Sequence, residues 1–266
     1  MNYFVAILKK TFKIVVSYKW HFIINLLINP IIIFTFISLF KTIYTYDSNQ
    51  IIVGYTCTQM IWYFAAITFF YCFVWCEPDK EVSAEIISGT MALRLTKPIS
   101  IMKTTFLNAA AFQVFNIIFS FLPTFILYSL FVYPDFFSLT AFIKYLALNF
   151  LAFVLLYLIS FFIGSAAFKL QSITALQSVK ATFILMAGVY LPFDFLPGIL
   201  QSIVKALPFQ YIYYVPIQFF LNKPETRSPE YFWTTVLAVT FWIIVFYFLS
   251  VVAWRIAIKK FHAVGG

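Results

Sequence analysis

The acidic residues that lie closest together in this sequence are Glu77, Asp79, Glu81 and Glu85. Carboxylates at such spacing can act as a general acid and base, or bind a metal ion, when a nucleophile, a histidine or further ligands lie beside them. No histidine lies near this segment, and the chain contains no GxxxxGKS/T, GxGxxG, HExxH or GxSxG pattern. The sequence therefore predicts that this chain is not an enzyme and has no nucleotide-binding site of its own.

Three cysteines, Cys57, Cys72 and Cys76, raise the question of metal binding. Cys72 and Cys76 would share one face of a helix, but a structural metal site needs about four ligands, and no histidine or cysteine cluster completes the set. We interpret all three as small buried side chains. The sequence predicts neither a metal ion nor another cofactor bound to this chain.

The composition is that of a membrane protein. Apolar residues make up 63% of the chain and charged residues 10%, whereas soluble domains carry roughly 45–50% and 25%. The net charge of +9 does not indicate nucleic-acid binding, because the basic residues are scattered at loop edges and form no basic face. The predicted fold class is an all-α polytopic membrane protein in one transmembrane domain, residues 1–266, with about six spans.

Six apolar stretches are the predicted transmembrane helices, and the fifth of them is short. They are residues 22–45, 51–76, 104–133, 141–168, 181–194 and 231–254. Residues 1–21 precede them as an amphipathic helix that is predicted to lie in the headgroup plane. Residues 192–220 are interrupted by four prolines, so we predict a re-entrant hairpin there rather than a further crossing.

The distribution of basic residues gives the orientation. Most of the 18 Lys and Arg residues fall on one side of the predicted topology, together with both ends of the chain. Positively charged segments stay in the cytoplasm, which predicts an N-in, C-in protein with a cytoplasmic segment at 77–103 and an extracellular hairpin. No charged residue is predicted near the middle of a span, whereas ion-coupled carriers usually keep a carboxylate or histidine there.

The cytoplasmic segment 77–103 is predicted to begin with a short helix at the membrane surface. Pro78 suits the first helical turn, the neighbouring acids suit the positive end of the helix dipole, and Gly89 suits the position just past a helix end. Val82 and Ile86, four residues apart, give this helix one apolar stripe. Two interpretations fit the pattern, namely a solvated loop and a helix that docks on a soluble partner.

The order of these parts resembles an ABC-2-type transporter permease, the transmembrane subunit of a bacterial ABC exporter whose ATPase is a separate chain. Four short motifs are similar to recurring pieces of that family. They are IISGT at 86–90, LTKP at 95–98, LPF at 207–209 and AVGG at 263–266. The resemblance covers nearly the whole chain.

The resemblance implies a permease that moves a peptide, drug or lipid-like substrate outward across the bacterial cell membrane by alternating access. Two permeases, identical or paralogous, would face each other within the lipid, and cytoplasmic ABC ATPase subunits would bind below them and hold ATP and Mg²⁺. The helix at 77–89 would be the coupling helix, with an exposed apolar stripe that sits in a groove of the ATPase. The residues assigned to ATPase coupling are Asp79, Glu81, Val82, Glu85, Ile86 and Gly89.

The translocation path would lie between the two permeases, lined by the second and fifth spans. The lining residues that this arrangement indicates are Tyr55, Gln59, Trp62, Tyr63, Thr182, Met186 and Tyr190.

Two functions of other classes compete with transport driven by ATP. One is a membrane scaffold or sensor that docks a soluble partner without transport, and the other is a self-contained secondary carrier. An adjacent gene for a lone ATPase would favour the exporter.

Overall fold

A computed structural model describes residues 3–17, 19–46, 51–168, 170 and 173–259 of the chain. Within these residues the regular structure is helical apart from one pair of two-residue strands, β1 and β2. In chain order the elements are α1 (Tyr3–Ser17), α2 (Lys19–Tyr46), β1 (Ile51–Ile52), β2 (Tyr55–Thr56), α3 (Cys57–Phe73), α4 (Pro78–Ile87), α5 (Thr90–Leu95), α6 (Ile101–Asn116), α7 (Leu122–Phe131), α8 (Leu139–Ser165), α9 (Thr174–Ile184), α10 (Gly198–Ala206), α11 (Tyr214–Phe220) and α12 (Pro229–Lys259). Short 3₁₀ helices occupy Ala166–Phe168, Phe193–Phe195, Pro208–Tyr211 and Pro224–Arg227, and π turns occupy Ile117–Phe121 and Leu185–Val189.

Three of the described helices are long and apolar enough to cross a membrane. They are Ile101–Phe131, Leu139–Phe168 and Pro229–Lys259. A fourth candidate is α3 together with α4, which meet at a bend of 43°, and α2 contains a shorter apolar stretch, Pro30–Thr45. The described residues thus give three or four candidate spans, fewer than the six predicted, and the inside or outside position of each end stays a prediction.

The second apolar stretch begins later than the predicted 51. Ile51 pairs with Thr56 and Ile52 with Tyr55 in a small antiparallel hairpin, and the turn residues Val53 and Gly54 both have positive φ. Such a turn matches the twist of a two-residue hairpin. Thr56 then caps α3, because its hydroxyl accepts from the Gln59 backbone N–H while the Gln59 side chain accepts from the Thr56 N–H. This capping box fixes the start of the helix at Cys57.

The fifth apolar stretch begins earlier than the predicted 181, since α9 starts at Thr174. It ends in a π turn in which Gly188 has a φ of 101°, a conformation that glycine adopts at little cost. The hairpin then continues through α10 and α11. Non-helical backbone at membrane depth must be covered by protein, and α11 meets this need by packing on α8 with Phe219, Phe220 and Leu221 no more than 1% exposed.

The central helix of the chain is α8. Within its most apolar window 67% of residues are buried inside the chain, compared with 17% for Ile101–Phe131 and 11% for Pro229–Lys259. α8 contacts α12, α11 and α4. The outward faces of the other two long helices are left for lipid or for another chain.

The close packing of α4 on α8 depends on a glycine. A Cβ at Gly164 would lie 2.9 Å from the Asp79 Cα and 3.3 Å from both the Asp79 carbonyl oxygen and the Val82 Cβ. The first contact is with backbone, which cannot move aside as a flexible side chain can. Residue 164 therefore has to be glycine for α4 to lie this near to α8.

We predict that Gly164→Ala destabilises the folded protein by about 1–3 kcal/mol, the usual cost of overpacking, although alanine is the better helix former. Gly198→Ala is the matched control, because a Cβ there meets nothing within 4 Å. The measurement is thermal unfolding of the purified variants in detergent. A Gly164→Ala variant as stable as Gly198→Ala would show that the two helices do not approach this closely.

Candidate coupling site

In the segment that follows α3, the start of the first helix and the glycine turn after it agree with the prediction from the sequence. α4 runs from Pro78 to Ile87 with the proline in its first turn and with Asp79 and Glu81 beside it. Gly89 has a φ of 74° and directly precedes α5. A left-handed residue is needed there because the chain reverses between the two short helices, and only glycine adopts it without strain.

The apolar stripe of α4 does not face outward. Val82 is fully buried, and Ile86 is half-buried against the same core. The prediction that Val82 is exposed and needs a partner is therefore wrong. The spacing of apolar residues in the sequence shows that one face of α4 is apolar but not which surface covers that face. In this structure α8 of the same chain covers it.

A buried ion pair joins α4 to α9. Lys180 Nζ lies 2.9 Å from Asp79 Oδ2, and the two side chains are 5% and 1% exposed. Lys180 Nζ also donates to Ser160 Oγ on α8 at 3.1 Å, and Gln177 Nε2 donates to the same Asp79 oxygen at 3.1 Å. The Trp75 ring lies 6.0 Å from the Lys180 ammonium group. Three helices are therefore connected by one pair of charges.

Separating these two side chains within the core would be unfavourable, because each would then be a buried charge without a counter-charge. Moving a single charge out of water costs several kcal/mol, which a partner in good geometry offsets. Asp79 Oδ1 has no hydrogen-bond partner among the described residues, so Lys180 and Gln177 supply the compensation that the carboxylate receives there. Asp79 was assigned to ATPase coupling from the family resemblance, and the structure places it inside the chain's own core, where it holds α9.

Arg94 forms a second connection on the other side of α4. Its Nη1 donates to Glu81 Oε1 at 3.1 Å and to Glu85 Oε1 at 2.5 Å, and its Nη2 donates to Thr104 Oγ1 on α6 at 2.9 Å. Burial lowers the pKa of Arg94, but the hydrogen bonds and charges of Glu85 and Glu81 outweigh it, so the pKa is raised. Glu81 and Glu85 are thus engaged within the chain, and α4, α5 and α6 are tied together.

The most exposed apolar side chains of this segment lie beside the turn between α4 and α5. Ile87 is 64% exposed and Leu93 is 70% exposed, and they flank the turn at Gly89. We refer to the exposed residues here as the coupling tip. It comprises Ala84, Ile87, Ser88, Gly89, Thr90 and Leu93. Of the residues assigned to coupling from the sequence, only Gly89 belongs to it. Ile87 stands in the IISGT motif but was assigned no role, and Leu93 was not singled out.

The residues assigned to the translocation path fall into two groups. Tyr55, Trp62 and Tyr63 are at most 1% exposed. They are core residues in this structure. The hairpin covers Tyr55 and Tyr63, and Trp62 packs on both α7 and α11. Burial of these three side chains within one chain does not support a lining role for them. Thr182 and Tyr190 are exposed on the fifth apolar stretch, and for these two the lining role stays a prediction. The side chain of Met186 lies outside the described part of the chain.

A polar cluster holds the hairpin against the start of α3. Tyr55 Oη donates to Asp194 Oδ2 at 2.7 Å, Tyr214 Oη donates to the same carboxylate, and Gln218 Nε2 donates to Tyr55 Oη at 2.8 Å. Lys223 Nζ donates to Gln59 Oε1 at 3.1 Å, and burial lowers the pKa of Lys223 to about 8. Gln59, the remaining residue assigned to the path, is therefore a connector between α3 and the loop after the hairpin.

Within the described ranges, no group of three or more His, Cys, Asp or Glu side chains is placed to hold a metal ion. Cys72 and Cys76 are buried and free, and Cys57 is half-buried and free.

The comparison with protein families decides the class of this chain. A family model described as "ABC-2 family transporter protein" matches residues 31–265. The chain belongs to this family. A comparison with curated proteins gave no match, and a comparison with solved structures gave none either.

Membership of the ABC-2 family, together with the apolar helices, makes the chain a multi-pass membrane permease of an ABC transporter. ABC-2 permeases are typically the non-catalytic membrane subunits, and the family implies association with an ABC ATPase. The matched range includes α4, α5 and both partners of the buried ion pair.

We predict that Lys180→Met destabilises this ABC-2 permease by about 3–5 kcal/mol, because Asp79 is then buried without a counter-charge. The double variant Asp79→Asn with Lys180→Met removes both charges and should recover most of that loss. Thermal unfolding in detergent measures both effects. Lys205→Met, at an exposed lysine on α10, is the control and should change stability by no more than about 0.5 kcal/mol. Equal loss in the single and double variants would contradict the pairing.

Proposed function

We propose that this chain is the permease subunit of an ATP-driven exporter in a bacterial cell membrane, and that a separate cytoplasmic ATPase docks on the coupling tip. The observation that carries the proposal is the contrast between the two ends of α4. Asp79 in its first turn is buried and ion-paired to α9, while its last residue, Ile87, is exposed together with Leu93 of α5. A rigid element with an exposed apolar end suits contact with another protein.

The exposed apolar residues at the tip are placed where a groove could hold them. Ile87 and Leu93 stand on opposite sides of a glycine turn and are surrounded by the small or polar residues Ala84, Ser88 and Thr90. Covering exposed aliphatic side chains with a partner removes apolar surface from water, which favours binding. The acids of α4 add little to such contact, because Arg94 already engages Glu81 and Glu85.

Movement of the tip would be transmitted to the fifth apolar stretch. α4 cannot slide freely on α8, because its backbone at Asp79 lies directly against Gly164. Nor can α4 separate from α9 without leaving Asp79 and Lys180 as buried charges with no counter-charge. α9 leads into the π turn and the hairpin, the irregular part of the fold. Rigid-body transfer from a docking helix to an irregular membrane segment is a plausible basis for alternating access.

A second permease is part of the proposal. Ile101–Phe131 and Pro229–Lys259 keep most of their apolar surface outside the chain's own core. Transmembrane helices with such faces pack on lipid or on other helices. Outward transport of a peptide, drug or lipid-like substrate follows from the family resemblance, and ATP and Mg²⁺ would be held by the ATPase subunit.

We expect Ile87→Asp and Leu93→Asp to reduce binding of the ATPase and to abolish transport-coupled ATP hydrolysis, because a carboxylate buried at a protein interface without a partner costs several kcal/mol. Ser202→Asp is the matched control, since Ser202 is an exposed polar residue of α10, far from the tip in the sequence, and its replacement puts no charge on an apolar, lipid-facing side chain. Co-purification with the ATPase and ATPase activity of the complex in proteoliposomes measure the effect.

All three variants should fold and insert normally, because each changes an exposed residue. Full ATPase binding and transport by both Ile87→Asp and Leu93→Asp would refute docking at the tip. Retained ATPase binding with no transport in the native complex would favour a scaffold over an exporter.

The membrane orientation gives a separate prediction. In a background without native cysteines, a cysteine at Ser88 should react with a membrane-impermeant maleimide only after the cells are permeabilised, and a cysteine at Ser228 should react in intact cells. Both positions are exposed, so accessibility within the fold does not limit labelling. Labelling of Ser88 from outside would reverse the orientation and remove the basis for a cytoplasmic ATPase site.

A further inference from the structure

A polar cleft lies beneath the amphipathic helix α1. It consists of two cavities of about 500 Å³ and 490 Å³, which share Lys10, Glu81 and Asn108 in their walls and are therefore adjacent. α1 forms one side of the cleft, and α4, α5 and α6 form the others. α1 is held in place by Ile7 and Thr11, which are buried, and by contact with α6.

The smaller cavity carries charges that are not balanced within the described part of the chain. Lys10 and Lys97 line it, and no acidic group lies within salt-bridge distance of either among those residues. Arg94, the third cation there, is already paired with Glu81 and Glu85. In the same wall Glu85 Oε2 is buried and has no hydrogen-bond partner among the described residues. An occupant with an anionic group and a separate hydrogen-bond donor would meet both needs.

The larger cavity adds an apolar wall and further acid. Trp75, Ala109 and Phe112 line it, and Phe112 is 43% exposed, so the cavity is continuous with the apolar surface of α6. Glu77 and Glu81 also line it. The cleft thus brings cations, acids and an apolar wall together, and this combination is complementary to an amphiphile with a zwitterionic headgroup.

We propose that this cleft is a binding site for the headgroup of a phospholipid with a primary amine, phosphatidylethanolamine. Its phosphate would pair with Lys10 and Lys97, and its ammonium group would donate to Glu85 Oε2, the carboxylate oxygen that Arg94 leaves without a partner among the described residues. A choline headgroup has no N–H to donate, and a glycerol headgroup brings no positive charge to this carboxylate. The inference rests on the membrane placement of α1 and α6 and does not depend on docking of an ATPase.

The test is native mass spectrometry of the purified permease after equilibration in mixed micelles that contain equal amounts of phosphatidylethanolamine, phosphatidylcholine and phosphatidylglycerol. We expect preferential retention of phosphatidylethanolamine. Lys10→Gln should reduce that retention about tenfold, the effect of losing one charge-assisted hydrogen bond. Lys9→Gln is the matched control, because Lys9 is the adjacent exposed lysine of α1 and lines neither cavity.

A second variant, Asn108→Phe, fills the wall that the two cavities share and should also lose the lipid, and thermal unfolding checks that each variant is folded. Equal retention of the three lipids, or equal effects of Lys9→Gln and Lys10→Gln, would overturn the site. Preference for phosphatidylglycerol would overturn the assignment of the amine. Displacement of the lipid by soluble glycerophosphoethanolamine at equal concentration would overturn a membrane lipid as the ligand. The ATPase is absent throughout, so failure here leaves the proposed coupling untouched.

Discussion

The ion pair between Asp79 and Lys180 is the contact on which the arrangement of the coupling segment depends. It joins residues 101 positions apart, and both side chains are almost completely buried. Either charge alone would be costly at this place, so the pair selects the one packing of α4 and α9 in which both are satisfied. Ser160 and Gln177 complete the hydrogen bonding and bring α8 into the same contact.

The rest of the segment follows from that anchor. Gly164 lets α4 lie directly on α8, and Arg94 ties α4 and α5 to Thr104 of α6. The three acids of α4 are then engaged with other elements, and Lys80 pairs at 2.6 Å with Glu77, the residue that precedes the helix. The segment is thus held to three other helices, and its most exposed apolar side chains are Ile87 and Leu93 beside the turn at Gly89.

Local chemistry in the sequence was enough to predict where the first helix of this segment begins and ends, but it did not predict α5. Pro78 and the acids beside it mark the start of α4, and the left-handed Gly89 marks the turn after it. The family was also predictable from the order of its parts and from short motifs, and the match over residues 31–265 confirms it.

The faces of the helices were not predictable in the same way. An apolar stripe at Val82 and Ile86 looks the same whether a partner or the chain's own α8 covers it, and only the three-dimensional packing decides between them. Lys180 contributed to the predicted membrane orientation as a basic residue, but nothing in the sequence connects it with Asp79, so its ion pair could not be predicted. Tyr55 and Tyr63 were assigned to a path because the hairpin that buries them is distant in the sequence. The bond from Tyr213 Oη to the Tyr63 carbonyl, for example, joins residues 150 positions apart.

The central claim is that the coupling tip and α9 move as one body because Asp79 and Lys180 hold them together. Electron–electron double resonance between spin labels at Ser88 and Ser178, both exposed, tests it most directly in the complex with the ATPase. The distance distribution between these labels should be the same in the nucleotide-free and the vanadate-trapped complex, while the distance from Ser88 to a label at Ser228 changes. A shift of the Ser88–Ser178 distance between the two states would show that the tip moves independently of α9 and would contradict the account.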